Sequence, residues 1–316
     1  MQSGILQETE KSLLDEIIHG LNYPQKYLPS KLFYDEKGSK LFDKICELDE
    51  YYITRTELSI IEENIDEIAE LIDANTIFIE FGSGSSIKTS IILENIDKAA
   101  GYIPIDISEE HLINSVEKLR SEFPDLDIYP IAADFTNPID FPDLIDNAKR
   151  RVLFFPGSSI GNFTFEESKK FMQIAALNCG SEGGFLIGID MFKDREIIEP
   201  AYNDSKGITA EFNLNILAHI NNKFDADFDL ENFYHHALFN EDKMRIEMYL
   251  VSIIDQSVKL NGSIVNFRKN EKILTEYSHK YTFDKFKSMV EDYFEIEKIW
   301  TDDKKFFSLF YLRKKN

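Results

Sequence analysis

The stretch TIFIEFGSGSSIKT, residues 76–89, determines the fold that we expect for this chain. Its first four residues are β-branched or aromatic, and they lead through Glu80 to the small residues Gly82, Ser83 and Gly84. Apolar residues at helical spacing follow. The pattern predicts a buried parallel strand, a tight glycine turn and a helix N-terminus, where backbone N–H groups can face a ligand.

Three interpretations of this turn are open. A dinucleotide site would need G-x-G-x-x-G, but Ile87 stands at the position of the third glycine. The E-x-G-x-G pattern that remains is typical of enzymes that bind S-adenosylmethionine (SAM). A plain strand-to-helix turn without a ligand would use the same residues, so the rest of the chain has to decide.

Later strands favour a ligand that contains a nucleoside. Residues 101–106 form an apolar strand ending at Asp106, about 20 residues beyond the glycine turn, where nucleotide-binding sheets place the carboxylate for the ribose. The third strand, predicted at residues 126–133, ends at Asp134 and Phe135, an acid and an aromatic residue suited to adenine. A fourth strand runs into a glycine-rich loop at 156–163. All four strands end at the edge where such sheets bind ligands.

The composition narrows the class of partner. A net charge of −22 over 316 residues disfavours nucleic acid and anionic membranes, because both are negatively charged. Two cysteines, Cys46 and Cys179, are too few for a disulfide framework or a thiolate metal site. No apolar run reaches the roughly 18 residues that span a bilayer. We expect a cytoplasmic protein in which both thiols are reduced and buried, and we take it to be a monomer.

Strands and helices alternate from the first strand to residue 190. By apolar spacing, helices are predicted at 88–98, 109–122, 139–148 and 165–179, and a fifth strand at 184–190. Repeated βα units predict an α/β protein with a Rossmann-like, doubly wound parallel sheet. Two β-runs, 294–300 and 306–312, predict a C-terminal antiparallel hairpin, an addition that suits the SAM-dependent methyltransferase fold.

Two domains are expected. A SAM-binding methyltransferase domain would use residues 60–195 and 285–316, and a smaller α+β substrate-binding domain would use 1–59 and 196–284. One amphipathic helix, 56–72, would lead into the first strand. The many aromatic residues before it either line a pocket or fill the core of a helical cap, which is the commoner use of such residues.

The chain resembles the SAM-dependent histidine Nα-methyltransferases of ergothioneine biosynthesis, which form hercynine (Nα-trimethylhistidine). The resemblance runs nearly from end to end. It is carried by the blocks KLFYDEKGSKLFDKI (31–45), EYYITRTE (50–57), EFGSGSSIKT (80–89), GSSIGNFT (157–164), AYNDSKGITAEFN (201–213), DADFDL (225–230), RIEMYL (245–250) and LTEYSHKY (274–281).

The resemblance implies SAM as cofactor, S-adenosylhomocysteine as its product, and no metal. Gly82 and Gly84 would hold the methionine part, Lys88 would reach the ligand, and Asp106 would hold the ribose. The cofactor-binding residues that it implies are Tyr34, Phe42, Gly82, Ser83, Gly84, Lys88, Asp106, Asp134, Phe135, Gly157 and Ser159. Without the resemblance, Lys88 would be taken for a solvated helix lysine.

The resemblance also implies L-histidine as substrate. Asn162 and Tyr34 would be catalytic, with Asn162 accepting an N–H of the α-amine. Glu276 and Ser278 stand at i and i+2, so on a strand they share one face. In the family that the chain resembles, this pair binds the imidazole nitrogens. The implied substrate-binding residues are Tyr51, Asn162, Tyr202, Phe212, Met248, Glu276 and Ser278, with the two tyrosines on the carboxylate and Met248 near the ring.

Two positions depart from the family pattern. Tyr277 stands where we expect a smaller aliphatic residue, and Ser159 stands where threonine is usual. On a strand, Tyr277 should point away from the pair that flanks it. Ser159 keeps the hydroxyl, so neither departure changes the assignment.

The implied activity is three successive methyl transfers from SAM to the α-amine of L-histidine. Three rival functions are open. The first is a methyltransferase of the same family that acts on another amine, such as a tryptophan derivative, which the related fungal enzymes make plausible. The second is a SAM-binding protein without catalysis. The third is a dinucleotide oxidoreductase, which the missing third glycine disfavours.

Overall fold

The computed structural model describes residues 2–84, 87–137, 139, 141, 150–180 and 182–315. The chain divides into two compact units. One consists of Met1–Tyr51 and Arg195–Ser278, and we call it the antiparallel unit. The other consists of Tyr52–Asp194 and His279–Asn316, and we call it the parallel-sheet unit.

Helices and strands are numbered in chain order. The helices are α1 (Gln2–Asn22), α2 (Glu36–Cys46), α3 (Tyr52–Glu63), α4 (Ile65–Ile72), α5 (Ile87–Asn95), α6 (Glu109–Glu122), α7 (Phe165–Asn178), α8 (Arg195–Ile198), α9 (Ile208–Phe224) and α10 (Phe283–Val290). Short 3-10 helices lie at Ser30–Phe33, Ser159–Asn162, Glu199–Tyr202 and Leu230–Asn232. The strands are β1 (Ile77–Phe81), β2 (Gly101–Asp106), β3 (Ile131–Ala132), β4 (Arg151–Phe155), β5 (Gly184–Asp190), β6 (Phe233–Asn240), β7 (Arg245–Ser252), β8 (Gln256–Leu260), β9 (Ser263–Phe267), β10 (Lys272–His279), β11 (Phe294–Thr301) and β12 (Phe307–Lys314).

The parallel-sheet unit is built on a sheet whose described strands follow the order β11-β12-β5-β4-β1-β2-β3. The strands from β5 to β3 pair in parallel, whereas β12 pairs antiparallel with both β5 and β11. Every residue of β1 and β5 is buried, because helices cover both faces of such a sheet. The predicted Rossmann-like fold with a C-terminal antiparallel hairpin is confirmed.

Two sequence-based predictions in this unit were wrong in detail. The single helix predicted at 56–72 is two helices, α3 and α4, which meet at Asn64. The backbone there leaves the helical region (φ −123°, ψ 18°), and the Asn64 amide donates to the Ile60 carbonyl at 2.8 Å. The third strand is only two residues long, with one further bridge between Tyr102 and Ile128. The helix predicted at 139–148 falls mostly outside the described residues.

The antiparallel unit contains a three-stranded sheet in the order β10-β7-β6 and the β8–β9 hairpin. In two of its helices, a carboxylate accepts backbone N–H groups of the first turn. Asp35 accepts from Gly38 N–H at 2.7 Å at the start of α2. Asp204 accepts from the N–H groups of Ile208 (2.9 Å) and Thr209 (2.7 Å) at the start of α9. Two sequence blocks that carry the resemblance, 31–45 and 201–213, therefore contain a carboxylate that accepts N–H groups of a first helical turn. These N–H groups have no hydrogen-bond partner within the helix.

The units meet along the chain at 51/52, 194/195 and 278/279, whereas the sequence-based boundaries were 59/60, 195/196 and 284/285. The first difference has a packing reason, since α3 packs against β12 and α5 and so belongs to the parallel-sheet unit. Both cysteines are free thiols, with Cys179 buried and Cys46 partly buried. Among the described helices, none has the length and apolarity to cross a membrane.

Candidate active site

The turn after β1 is held in a backbone conformation that favours glycine. Gly82 has φ 72° and Gly84 has φ 34°, values that L side chains rarely adopt. Space is not the reason, because among the described residues a Cβ on Gly82 would meet nothing closer than the Phe135 ring at 3.9 Å. The turn is anchored by Gly82 N–H, which donates to the Ile105 carbonyl at 2.8 Å, and by the Ser115 hydroxyl on the Gly84 carbonyl at 2.8 Å. The predicted glycine turn is thus a fixed loop at the ligand-binding edge.

Lys88, on the first turn of α5, forms an ion pair with Glu57 of α3. The same carboxylate oxygen, Glu57 Oε2, accepts the backbone N–H of Gly157 at 2.8 Å. The Glu57 side chain is fully buried, and that of Lys88 is 16% exposed. Lys88 is therefore not the solvated lysine of the alternative interpretation, and it shares one buried anion with the loop after β4.

Two predicted cofactor carboxylates are fixed by their own loops. Asp106 Oδ1, at the end of β2, accepts Ser108 N–H at 2.9 Å. Asp134 Oδ1 accepts both the backbone N–H (3.0 Å) and the hydroxyl (2.5 Å) of Thr136. The ring of Phe135 lies 5.4–6.1 Å, centroid to centroid, from the rings of Phe81, Phe155 and Phe171. Its position is therefore set by the core of the sheet.

The loop after β4 reverses through two left-handed residues, Gly157 (φ 73°) and Ser158 (φ 57°), and continues as a 3-10 helix that ends at Asn162. The Ser159 hydroxyl donates to the Pro156 carbonyl at 2.9 Å, so it supports the loop. Asn162 is partly buried. Within the described part of the chain its side-chain amide has no hydrogen bond, which leaves both its donor and its acceptor available to a ligand.

The acid of the E-x-G-x-G pattern is inside the protein. Glu80 is 2% exposed and accepts the hydroxyl of Tyr102, itself fully buried. Burial raises the pKa of Glu80 to about 8, although the Tyr102 hydrogen bond acts in the opposite direction. A pKa of about 8 favours the protonated, neutral form of Glu80 at pH 7.

A buried ionic cluster lies at the end of β5. Asp190 accepts from the Tyr52 hydroxyl at 2.8 Å and pairs with Lys280 Nζ at 2.6 Å and with Lys193. Burial alone would raise the pKa of Asp190, but the two lysines outweigh it and hold that pKa below its usual value. Burial lowers the pKa of Lys193 to about 8. The sequence pattern predicted only a strand that ends in an acid, because Tyr52 and Lys280 lie far from Asp190 along the chain.

In the antiparallel unit, five predicted residues form one cluster of rings, which we call the aromatic cluster. Its members are Tyr34, Phe42, Tyr51, Tyr202 and Phe212. The ring centroids of successive contacts lie 5.9–6.3 Å apart: Tyr34 on Phe42 and Phe212, Phe42 on Tyr51 and Phe212, and Tyr51 on Tyr202. Phe212 is 3% exposed, so packing of the cluster is its observed role.

The hydroxyl of Tyr202 and that of Ser278 are hydrogen-bonded at 2.7 Å. Ser278 and Glu276 stand two residues apart on β10, as predicted, and Met248 is buried on the adjacent strand β7. Burial raises the pKa of the Tyr51 phenol well above its ordinary value, and Tyr202 and then Glu276 are among the nearby groups that add to this effect. The structure therefore brings these residues into one neighbourhood of the antiparallel unit.

The backbone carbonyl of Tyr202 is hydrogen-bonded to a partly buried histidine, His235. His235 Nε2 lies 2.9 Å from the Tyr202 carbonyl, and its Nδ1 lies 2.8 Å from the Asn213 amide nitrogen. Nε2 is therefore the donor and Nδ1 the acceptor of a neutral ring. Burial lowers the pKa of His235, in keeping with that form.

Tyr277 lies under the guanidinium of Arg245, with 3.5 Å between Arg245 Cζ and the ring centroid. Its position on β10 between Glu276 and Ser278 gives it the opposite face of the strand. Tyr277, the residue that departs from the family pattern, therefore stacks against Arg245.

Sequence reasoning missed Glu57. A signal was available, because Glu57 stands four residues after Ile53 and four before Ile61 on α3, and both isoleucines are buried. A lone carboxylate on the apolar face of a helix indicates a specific partner, since a buried charge without one is costly.

Among the described residues, no group of three or more His, Cys, Asp or Glu side chains is arranged to hold a metal ion.

Comparison with known proteins identifies the family. A family described as histidine-specific methyltransferase, SAM-dependent, matches residues 13–314. The chain belongs to this family. Histidine N-alpha-methyltransferase of Mycolicibacterium smegmatis is 37% identical over 276 residues, which cover 86% of this chain and 85% of that protein. Ergothioneine biosynthesis protein 1 of Neurospora crassa is 29% identical over 283 residues, covering 87% of this chain and 31% of that protein.

Among solved structures, a protein of Pyrococcus horikoshii shares the fold with a TM-score of 0.50 at 11% identity, covering 89% of this chain and 100% of that one. Membership of the histidine-specific, SAM-dependent methyltransferase family confirms the resemblance inferred from the sequence and makes the protein a SAM-dependent methyltransferase. The observed loop geometry fits SAM, because the described residues leave space at Gly82 and Gly84, and Lys88 is a cation that could pair with the carboxylate of SAM.

Proposed function

We propose that the protein transfers three methyl groups in succession from SAM to the α-amine of L-histidine and so forms Nα-trimethylhistidine. The observation that carries the choice of substrate is the arrangement on β10, where Ser278 is hydrogen-bonded to Tyr202 and shares a strand face with Glu276. An imidazole offers one N–H donor and one nitrogen acceptor. A carboxylate and an adaptable hydroxyl match these two atoms, whereas an indole has only the donor.

The cofactor contacts that we propose follow the loops of the parallel-sheet unit. Gly82, Ser83 and Gly84 accommodate the methionine part, and the Lys88 ammonium binds its carboxylate. Asp106 accepts the ribose hydroxyls. Asp134 and Phe135 contact the adenine. The other proposed cofactor contacts are Gly157 and Ser159, from the loop after β4, and Tyr34 and Phe42, which lie over the ligand. SAM supplies a methyl group already activated as a sulfonium, and the proposed chemistry uses no metal.

The substrate contacts that we propose place each polar group of histidine on a matching atom. Asn162 accepts an N–H of the α-amine through its side-chain carbonyl. Tyr51 and Tyr202 donate to the carboxylate, and Glu276 and Ser278 hold the imidazole. Met248 and Phe212 supply apolar surface for the ring.

Each transfer is a direct displacement. The lone pair of the neutral amine forms the new N–C bond while the S–C bond breaks, and S-adenosylhomocysteine leaves with the electron pair. The substrate begins as an ammonium, so one proton is released for each methyl group that is transferred. After the third transfer, the α-nitrogen is quaternary and carries a permanent positive charge. Asn162 fixes the direction of the lone pair, and such positioning contributes several kcal/mol to catalysis.

The test is mass spectrometry of the purified protein incubated with SAM and an equimolar pool of the twenty amino acids. Trimethylated histidine as the product is the expected result. Methylation of tryptophan or another amino acid would keep the cofactor assignment and overturn the proposed substrate. SAM binding without methylation of any amino acid would overturn the proposed activity.

A further inference from the structure

Glu57 is a buried charge that the proposed contacts do not use. Its side chain is fully buried on α3, and its Oε2 accepts from both Lys88 Nζ and Gly157 N–H. The other oxygen, Oε1, is buried and has no hydrogen-bond partner among the residues that the structure describes. A carboxylate that keeps one oxygen unsatisfied in the interior costs free energy, so its retention calls for a specific reason.

The sheet provides room for this carboxylate. A Cβ on Gly188, in the middle of β5, would overlap Glu57 Oε1 and would lie 2.8 Å from the ring of Phe307. Glycine at 188 thus allows the Glu57 side chain to lie against β5 and still reach the loops after β1 and β4. The contact with Gly188 places Glu57 Oε1 against β5. Among the described residues, Oε2 is then the only oxygen of Glu57 that accepts hydrogen bonds.

The two partners of Oε2 are both proposed cofactor residues. Lys88 has three N–H donors, and using one on Glu57 leaves the others for a ligand. The Gly157 N–H, taken up by the same oxygen, sets the start of the loop that carries Ser159 and Asn162. One buried anion therefore determines where the cation of α5 and the backbone of the β4 loop stand relative to each other.

We propose that Glu57 is a positioning residue for the amino-acid end of SAM, and that it acts through Lys88. This inference rests on the proposed contact between Lys88 and the cofactor carboxylate. Without the charge of Glu57, the Lys88 ammonium loses its buried partner and turns to water. The ligand then has to order the lysine at binding, which weakens affinity.

The experiment compares two ligands by isothermal titration calorimetry. S-Adenosylhomocysteine has the amino-acid end, and 5′-methylthioadenosine has the same nucleoside without it. Glu57→Gln is expected to weaken S-adenosylhomocysteine binding about tenfold and to leave 5′-methylthioadenosine binding within about twofold of wild type. The second ligand also reports folding, because a general structural defect would weaken both. Glu57→Asp retains the charge on a shorter side chain. Its affinity for S-adenosylhomocysteine is expected to lie between those of wild type and Glu57→Gln.

A second variant links the effect to the lysine. Lys88→Met is expected to weaken S-adenosylhomocysteine binding by itself, and Glu57→Gln is expected to add less than about twofold in the Lys88→Met background. Glu62→Gln, an exposed acid on the same helix, is the matched control and should change neither ligand.

The outcomes separate the inference from the proposal beneath it. Unchanged or tighter S-adenosylhomocysteine binding by Glu57→Gln, with Lys88→Met impaired, would overturn the role of Glu57 alone. Equal loss of both ligands would also overturn it, because the role would then be structural. No loss in Lys88→Met would overturn the cofactor contact of Lys88 and the inference with it, whereas histidine methylation by wild type would still stand.

Discussion

The two units present different chemistry to their proposed ligands. In the parallel-sheet unit, the predicted residues are held by backbone conformation and charge: two glycines at positive φ, two aspartates fixed by their own loops, and the Glu57–Lys88 ion pair. In the antiparallel unit, they are mostly rings and hydroxyls, with Glu276 as the one carboxylate among the predicted residues. We infer that SAM is recognised by charge and loop geometry, and the amino acid by shape and hydrogen bonds.

This comparison predicts that variants should separate by ligand. Changes in the parallel-sheet loops should alter binding of S-adenosylhomocysteine, and changes at Tyr51, Tyr202 and β10 should alter the KM for histidine. Tyr34 and Phe42, which belong to the antiparallel unit and have a proposed role on the cofactor, are left out of this contrast. Asn162 is the exception that would sharpen the contrast, because it lies in a parallel-sheet loop and has a proposed role on the substrate.

Asn162→Ala should have the largest effect. We expect kcat to fall by at least about 100-fold, because the amine loses the acceptor that orients its lone pair. The affinity for S-adenosylhomocysteine should stay within about twofold, since the backbone of the loop is kept. Steady-state kinetics and calorimetry measure the two quantities. Asn95→Ala, an exposed amide on α5, is the control, and near-normal turnover of Asn162→Ala would remove this residue from the reaction.

Glu276→Ala should come next. We expect the KM for histidine to rise about 30-fold, because a charged hydrogen bond to the imidazole is lost, while S-adenosylhomocysteine binding is unchanged. Competition between histidine and tryptophan as substrates, read by mass spectrometry, would show whether the preference relaxes. Asp242→Ala, an exposed acid of the same unit, should behave as wild type. An unaltered KM and preference would place Glu276 outside the substrate pocket.

Glu80→Gln tests the electrostatics of the parallel-sheet unit through the pH dependence of the free energy of unfolding. The folded pKa of Glu80 is raised from 4.5 to about 8, so between these values the folded protein keeps a proton that the unfolded chain has released. The contribution is complete below about pH 4.5 and is lost as the pH rises toward about 8, a change on the order of 3 kcal/mol by pH 7.

The glutamine variant keeps an acceptor for Tyr102 but cannot ionise. The difference in unfolding free energy between Glu80→Gln and wild type should therefore grow in favour of the variant from pH 5 to pH 7.5. Urea unfolding at several pH values measures it, with Glu62→Gln as the control that should show no such trend. A difference that does not depend on pH would show that Glu80 is ionised in the folded state.

The smallest effect is expected at the hydroxyl pair. Tyr202→Phe and Ser278→Ala should each lower kcat/KM for histidine about fivefold, because each removes one hydroxyl of a hydrogen-bonded pair. Since the two hydroxyls share one bond, the double variant should lose less than the product of the single losses. Fully multiplicative losses would mean that the two hydroxyls act independently on the substrate.

Local pattern was enough to predict the sheet. The apolar runs and the glycine turn specified the alternation of strand and helix, and the two-residue period of strands placed Glu276 and Ser278 on one face. It was not enough where tertiary contacts decide the outcome. The break at Asn64 lies inside a continuous helical pattern, and nothing local indicates that α3 packs on β12.

The site residues divide in the same way. Gly82 and Gly84 could be predicted because their role follows from their own backbone, and the positive φ values agree with it. The partners of Glu57 and Asp190 could not, because they are distant in the sequence: Lys88 for Glu57, and Tyr52 and Lys280 for Asp190. Which of the predicted substrate residues touch histidine stays a prediction that the variants above address.

The placement of β12 has a consequence for biosynthesis. This strand pairs with β5 on one side and β11 on the other, so it lies inside the sheet although more than a hundred residues separate it from β5. A ribosome therefore delivers the apolar strand β5 long before its covering neighbour exists, and during that interval β5 is an open edge able to pair with other nascent chains. The parallel-sheet unit completes its sheet only after the whole antiparallel unit has been synthesised, which makes the nascent chain a natural client for chaperones that shield strand edges.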